Sequence, residues 1–263
     1  MQRNYNATNK KIGDLTEMLD RFYPNKMIFI HHSVGKNILY EGGLKDSLAK
    51  LGILVKSSTY GDEIGEKTDM CNWLPKFEKD MDRILSFKAH PNMYYNDGTT
   101  NDIVMFKSCF PNSYVIENTG PGDPTDQKRT IANFKAIFEG LKDEMRKHKT
   151  CLFVYLTAPP LVSEATTTQH AARARDFNDW LKGEFYPRYS KETGHGNFVV
   201  FDLFGFLTDE DNFLKKEYRT GNAGDSHPNV VANEAVTVKF MEFFHPIWQK
   251  WQKQSTIQEQ NEH

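Results

Sequence analysis

Five short apolar runs, separated by stretches of helical periodicity, constrain this chain more than any other feature. They are residues 27–31 (MIFIH), 53–58 (ILVKSS), 102–106 (DIVMF), 151–156 (CLFVYL) and 197–203 (NFVVFDL). Most are apolar at successive positions, the pattern of strands buried on both faces. Between them the spacing predicts helices over 37–51, ending at Gly52, and over 74–87, 130–147 and 170–186, with a terminal helix over 230–251. Strands that alternate with helices need crossover connections, and right-handed crossovers build a parallel sheet covered on both faces. The predicted fold is therefore α/β: a three-layer α/β/α sandwich with a five-stranded parallel sheet in flavodoxin-like order. It is read as one domain over 1–263, with a polar segment at 1–24 and a frayed tail at 252–263.

Composition narrows the function. The 263 residues suffice for a sizeable core. Thirty-three Lys and Arg against 35 Asp and Glu leave a formal charge of -2, so no global field recruits nucleic acid or an acidic membrane. No apolar run reaches the ~20 residues of a membrane span, and no membrane insertion is expected. Three cysteines, Cys71, Cys109 and Cys151, form no CxxC pair, so neither a disulfide framework nor a thiolate metal site is expected. The opening residues lack the apolar core of a signal peptide, which leaves a cytoplasmic location and export with a removed leader both open.

In doubly wound sheets, ligands bind beyond the carboxyl ends of the strands, so chemistry is sought there. The first run leads into His31-His32-Ser33-Val34-Gly35-Lys36. A serine on a strand-to-helix turn presents its hydroxyl above the sheet, beside a helix N-terminus that favours developing negative charge. Such a serine also serves simply as a helix cap. His31 and His32 read as packing groups rather than metal ligands. Just before the last helix stands Gly224-Asp225-Ser226-His227-Pro228-Asn229, which suits a general base with a carboxylate nearby, or an ordinary surface turn.

Together, Ser33 after the first strand and the Asp225/His227 pair before the last helix resemble the SGNH (GDSL-like) hydrolase superfamily, over residue 27 to the last helix. The family consists of three-layer α/β/α esterases, lipases, thioesterases and carbohydrate deacetylases. The resemblance implies Ser33 as nucleophile and His227 as base. It implies a backbone oxyanion donor at Gly65, with Gly61 in reserve. The chain departs from the pattern at three places. Two histidines replace the Gly-Asp before the serine. After the third strand the family's Gly-x-Asn-Asp is replaced by Lys107-Ser108-Cys109-Phe110-Pro111-Asn112, leaving Ser108 or Asn112 as side-chain oxyanion donor. The family acid lies three residues before the histidine, where this chain has Gly224, so the acid is Asp225, a backbone carbonyl or Asp202.

The function implied is serine-dependent hydrolysis of a small acyl ester, in the family's range an O-acetylated carbohydrate, without metal or organic cofactor. An acyltransferase on the same scaffold and a non-catalytic binding domain are the alternatives. The expected partner is a small-molecule or carbohydrate ester; oligomeric state is left open. Lys107 reads as a solvated charge at a strand end, Cys109 as a small buried hydrophobe, and Trp248 and Trp251 as packing groups of the last helix.

Overall fold

A computed structural model describes residues 23–194 and 196–261. In chain order the elements are β1 (Asn25–Ile30), α1 (Ser33–Tyr40), α2 (Leu44–Ala49), β2 (Ile53–Ser58), α3 (Met70–Ser86), β3 (Phe87–Ala89), β4 (Met93–Tyr94) and β5 (Ile103–Lys107). They continue with α4 (Ile131–Met145), β6 (Leu152–Leu156), α5 (Thr168–Trp180), α6 (Tyr186–Thr193), β7 (Phe198–Phe201), α7 (Leu203–Leu207) and α8 (Val230–Asn261).

The sheet order is β2-β1-β5-β6-β7, and every neighbouring pair is parallel. Side chains alternate across it. Ile28, Ile30, Val104, Phe106, Phe153 and Tyr155 share a core with Phe77 of α3, Phe138 of α4 and Phe177 of α5. Met27, Phe29, Met105, Val154 and Leu156 share the other with Ile38 of α1, Leu48 of α2 and Phe240 of α8. These two cores make the three layers, and the fold is the α/β/α sandwich the strand pattern predicts. The chain winds outward from β1 to β2 and then crosses back to β5, so the crevice of this topology opens at the carboxyl ends of β1 and β5.

Where the elements depart from the sequence pattern, the cause is local. The helix expected over 37–51 is two, α1 and α2, broken at Gly42-Gly43. Gly43 has φ 73°, and a Cβ on Gly42 would lie 2.4 Å from the main-chain oxygen of Asn233, so the break lets α8 approach the backbone. α3 begins at Met70, four residues earlier than expected, because its first N–H is capped by the Asn112 side chain at 2.8 Å. The antiparallel pair β3 and β4 is too short to show as alternation. The terminal helix does not stop at residue 251. It continues to Asn261. The polar segment expected at 1–24 lies, except for its last two residues, outside the described residues. Among the described residues no helix is long and apolar enough to cross a membrane.

Candidate active site

Ser33 is the first residue of α1, three positions beyond the end of β1, with the extended His32 as its N-cap. The turn is held from below. His31 is fully buried, its Nε2 2.8 Å from the Ser57 hydroxyl and its Nδ1 2.9 Å from the His32 carbonyl. Burial pushes the His31 pKa down to about 3, so the ring is neutral. Gly35 rests directly on it: a Cβ there would lie 2.4 Å from the His31 Cβ, so glycine lets α1 pack flat on β1. His32 turns outward, donating from Nε2 to the Gly65 carbonyl at 2.9 Å and stacking on Tyr60 at 3.8 Å.

The loop before α8 reaches Ser33 from 194 residues away: His227 Nε2 lies 2.8 Å from Ser33 Oγ. The other ring nitrogen, Nδ1, lies 2.6 Å from Asp225 Oδ1, and that same oxygen accepts the His227 main-chain N–H at 3.0 Å. Asp225 Oδ2 accepts from the Thr220 hydroxyl at 2.9 Å. These donors, the His227 main-chain N–H foremost, hold the Asp225 carboxyl below its usual range. A carboxylate on Nδ1 fixes the proton there and leaves Nε2 as the acceptor for the Ser33 hydroxyl. Gly224, at φ 75°, makes the sharp turn that lets an acid two residues before the histidine reach its ring. Phe110 packs edge-on against that ring, centroids 4.9 Å apart, and limits its rotation. Asp202 instead caps α7 through the Gly205 N–H and pairs with Lys182 at 2.5 Å.

The other residues singled out from the sequence are engaged elsewhere. The Gly65 N–H donates to the Asp62 carbonyl at 2.9 Å, and a Cβ at Gly65 would meet the Thr59 carbonyl oxygen at 2.1 Å, so this glycine serves a tight turn. Lys76 braces that turn by donating to the Ile64 and Glu66 carbonyls, both at 2.8 Å. The Gly61 N–H donates to the Glu66 carboxylate at 2.9 Å. Ser108 is buried with its hydroxyl accepting from Trp73 Nε1 at 2.9 Å. The Asn112 amide caps α3 through its oxygen and donates to Asp69 and the Cys109 carbonyl through its nitrogen. Cys109 is the residue that meets the serine, with Sγ 3.7 Å from Ser33 Oγ. It is half-buried rather than a core hydrophobe.

Lys107 is not a solvated charge. Its side chain is fully buried beneath the site, on the same sheet face as Met105, and among the described residues its amine has no hydrogen-bond partner. Burial pushes its pKa down. The sequence offered no sign of this, because a strand-end lysine looks alike whether the next turn covers it or not. Phe110 and Thr220 were also missed: neither carries chemistry of its own, and each matters only through Asp225 or His227.

A cleft of about 510 Å³ opens beside Ser33, lined by Lys36, Tyr40, Ser57, Thr59, Tyr60 and His90. A hydroxyl on an imidazole, backed by a carboxylate and opening on a cleft, can deliver an activated oxygen nucleophile to a bound electrophile. Among the described residues no group of three or more His, Cys, Asp or Glu side chains is arranged to hold a metal ion.

No family model matches the chain, and no curated protein matches it. Solved structures are similar in outline. An inferred acylhydrolase from Bacteroides fragilis is 14% identical, covers 85% of this chain and 88% of its own, and superposes with a TM-score of 0.45. A GDSL-like lipase from Bacteroides thetaiotaomicron is 14% identical over 87% of this chain and 88% of its own, at 0.42. A gut microbial diltiazem-metabolizing enzyme is 11% identical over 83% of this chain but only 46% of its own, at 0.48. At these identities and scores, the functional reading rests on the side chains of this chain.

Proposed function

We propose that this protein is a serine-dependent ester hydrolase of the SGNH (GDSL-like) type, acting by acyl transfer on a small acyl ester. The observation that supports this reading is the 2.8 Å contact between Ser33 Oγ and His227 Nε2, backed by Asp225 on Nδ1. Ser33 Oγ attacks the ester carbonyl carbon while its proton passes to His227 Nε2; Asp225 stabilises the imidazolium that results. The tetrahedral intermediate collapses as His227 returns the proton to the leaving alcohol oxygen. Water then repeats the sequence on the acyl-serine, with His227 again as base, releasing the acid and restoring the Ser33 hydroxyl.

The oxyanion needs donors. The Ser33 N–H, at the N-terminus of α1, makes no main-chain hydrogen bond among the described residues, and it lies where a helix favours negative charge. With Gly65, Ser108 and Asn112 engaged elsewhere, the Cys109 thiol, 3.7 Å from Ser33 Oγ, is the side-chain oxyanion donor we favour. An S–H donates weakly, which suits an ester better than an amide. Within the ester class, an O-acylated carbohydrate is the substrate we favour, since the cleft is walled by tyrosines and hydroxyls rather than by a broad aliphatic surface.

The test is hydrolysis of 4-nitrophenyl acetate by the purified protein and by Ser33→Ala, together with fluorophosphonate labelling and peptide mapping. The reading expects loss of turnover in the variant and the label on Ser33. Equal turnover by the two proteins, or a folded protein that takes no label at Ser33, overturns it.

A further inference from the structure

The cleft beside Ser33 is chemically one-sided. Ser33, Lys36 and Tyr40 fall at i, i+3 and i+7 along α1 and share one helix face, so the cleft runs along the helix from the nucleophile. Lys36 lies one turn from Ser33, about 4.5 Å along the axis. Its side chain is exposed, and among the described residues no carboxylate lies within ion-pair distance of it. The opposite wall carries Tyr60, set by its stacking on His32, and His90 from the turn between β3 and β4.

His90 is held in place. Asp62, completely buried, accepts from His90 Nδ1 at 3.1 Å with one oxygen, and that oxygen also accepts the Asn92 N–H at 3.0 Å. The second oxygen accepts the Thr59 N–H at 3.3 Å. This buried acid ties the hairpin to the loop after β2 and fixes the orientation of the His90 ring through Nδ1. The residues lining the cleft thus include an ammonium and an oriented imidazole, and no acidic side chain.

We propose that this cleft selects esters that carry a carboxylate, with Lys36 and His90 as its recognition groups; the hemiester of a short dicarboxylic acid is the simplest case. The inference rests on the acyl-transfer reading and names the substrate class of that site. A carboxylate three or four carbons from the reacting carbonyl, the length of a glutaryl group, matches the one-turn offset between Ser33 and Lys36.

Two measurements test it. The first compares kcat/KM for 4-nitrophenyl hemiglutarate and 4-nitrophenyl butyrate, which share an acyl stem and differ by the terminal carboxylate. The wild-type protein is expected to favour the hemiglutarate about tenfold, as one hydrogen bond to a charged group allows. Lys36→Met and His90→Gln should each lower that ratio severalfold, and Asp62→Asn should lower it as His90→Gln does. A ratio near one in the wild type, or one unmoved by both Lys36→Met and His90→Gln, overturns the proposal. The second measures binding of the mono-anilide of glutaric acid and of butyranilide to Ser33→Ala by calorimetry, which needs no turnover. Tighter binding of the charged anilide, lost in the Lys36→Met double variant, supports the charge recognition even if neither ester is hydrolysed, in which case only the acyl-transfer reading fails. Equal binding of the two anilides overturns the proposal.

Discussion

Asp225 holds His227 twice with one oxygen, accepting from the ring Nδ1 at 2.6 Å and from the main-chain N–H at 3.0 Å. The second contact fixes where the carboxylate sits relative to the backbone, and the first fixes how the ring is turned. Asp225→Asn keeps the shape but presents an amide to Nδ1, which allows the wrong tautomer. We expect kcat on a 4-nitrophenyl ester to fall by about 10²–10⁴ with little change in KM. Thr220→Val removes only the hydroxyl on the far oxygen, and a loss of about tenfold or less is expected. Steady-state kinetics of both variants check the order; a Thr220→Val loss as large as that of Asp225→Asn would refute it.

Gly35 sits over His31 with no room for a side chain: a Cβ there would lie 2.4 Å from the His31 Cβ. Gly35→Ala would force its new Cβ against the His31 ring stem at 2.4 Å, so α1 must lift from β1 and carry Ser33 with it. Destabilisation of about 1–3 kcal/mol is expected, with kcat falling by up to about 10² as the 2.8 Å contact to His227 opens. Gly183 is the matched control. It lies within a helical turn with nothing within 4 Å of a notional Cβ, so Gly183→Ala should be neutral or stabilising, by up to about 1 kcal/mol. Urea denaturation of the two variants decides, and equal stability would show that the helix yields without cost.

The sheet was legible because its strands are short runs apolar on both faces that alternate with helical periodicity, the pattern of a buried parallel sheet. The meeting of Ser33 with His227 follows from the same topology, since both flank the crevice at the carboxyl ends of β1 and β5. What escaped was set by long-range contacts. Asn112 stands in a loop near the proposed oxyanion site, yet its amide caps α3, whose start no local signal marked. Gly65 sits after β2 as a donor should, yet its N–H closes a turn and its carbonyl holds His32. The hairpin that brings His90 to the cleft has strands of three and two residues, below the length at which alternation registers.

His31 makes stability depend on acid. Its folded pKa, near 3, lies below the ordinary value of 6.5, so between these limits the unfolded chain binds more protons than the folded one. Stability therefore falls as pH drops from 6.5 towards 3, by at most about 1.4 kcal/mol per pH unit from this group. His31→Gln retains groups able to bond Ser57 and does not titrate, so its denaturation midpoint should fall less steeply over that range. Parallel pH profiles for the two proteins would dismiss His31 as the source.

Lys107 should behave in the opposite sense to a surface lysine. Among the described residues its buried amine has no hydrogen-bond partner, and its folded pKa lies below the ordinary lysine value. The folded state therefore binds fewer protons than the unfolded chain in the interval between those values, and the cost of burying the amine is relieved as pH rises through it. Lys107→Met replaces the amine with an apolar group of similar length and removes that cost, so the variant should be more stable at pH 7 by about 1–3 kcal/mol. Its advantage should narrow towards pH 10, because the wild-type lysine then folds neutral with less proton release. Urea midpoints of both proteins at pH 7 and pH 9.5 measure the gap. A variant less stable than the wild type at both values would mean that the amine holds a stabilising interaction at the heart of the site.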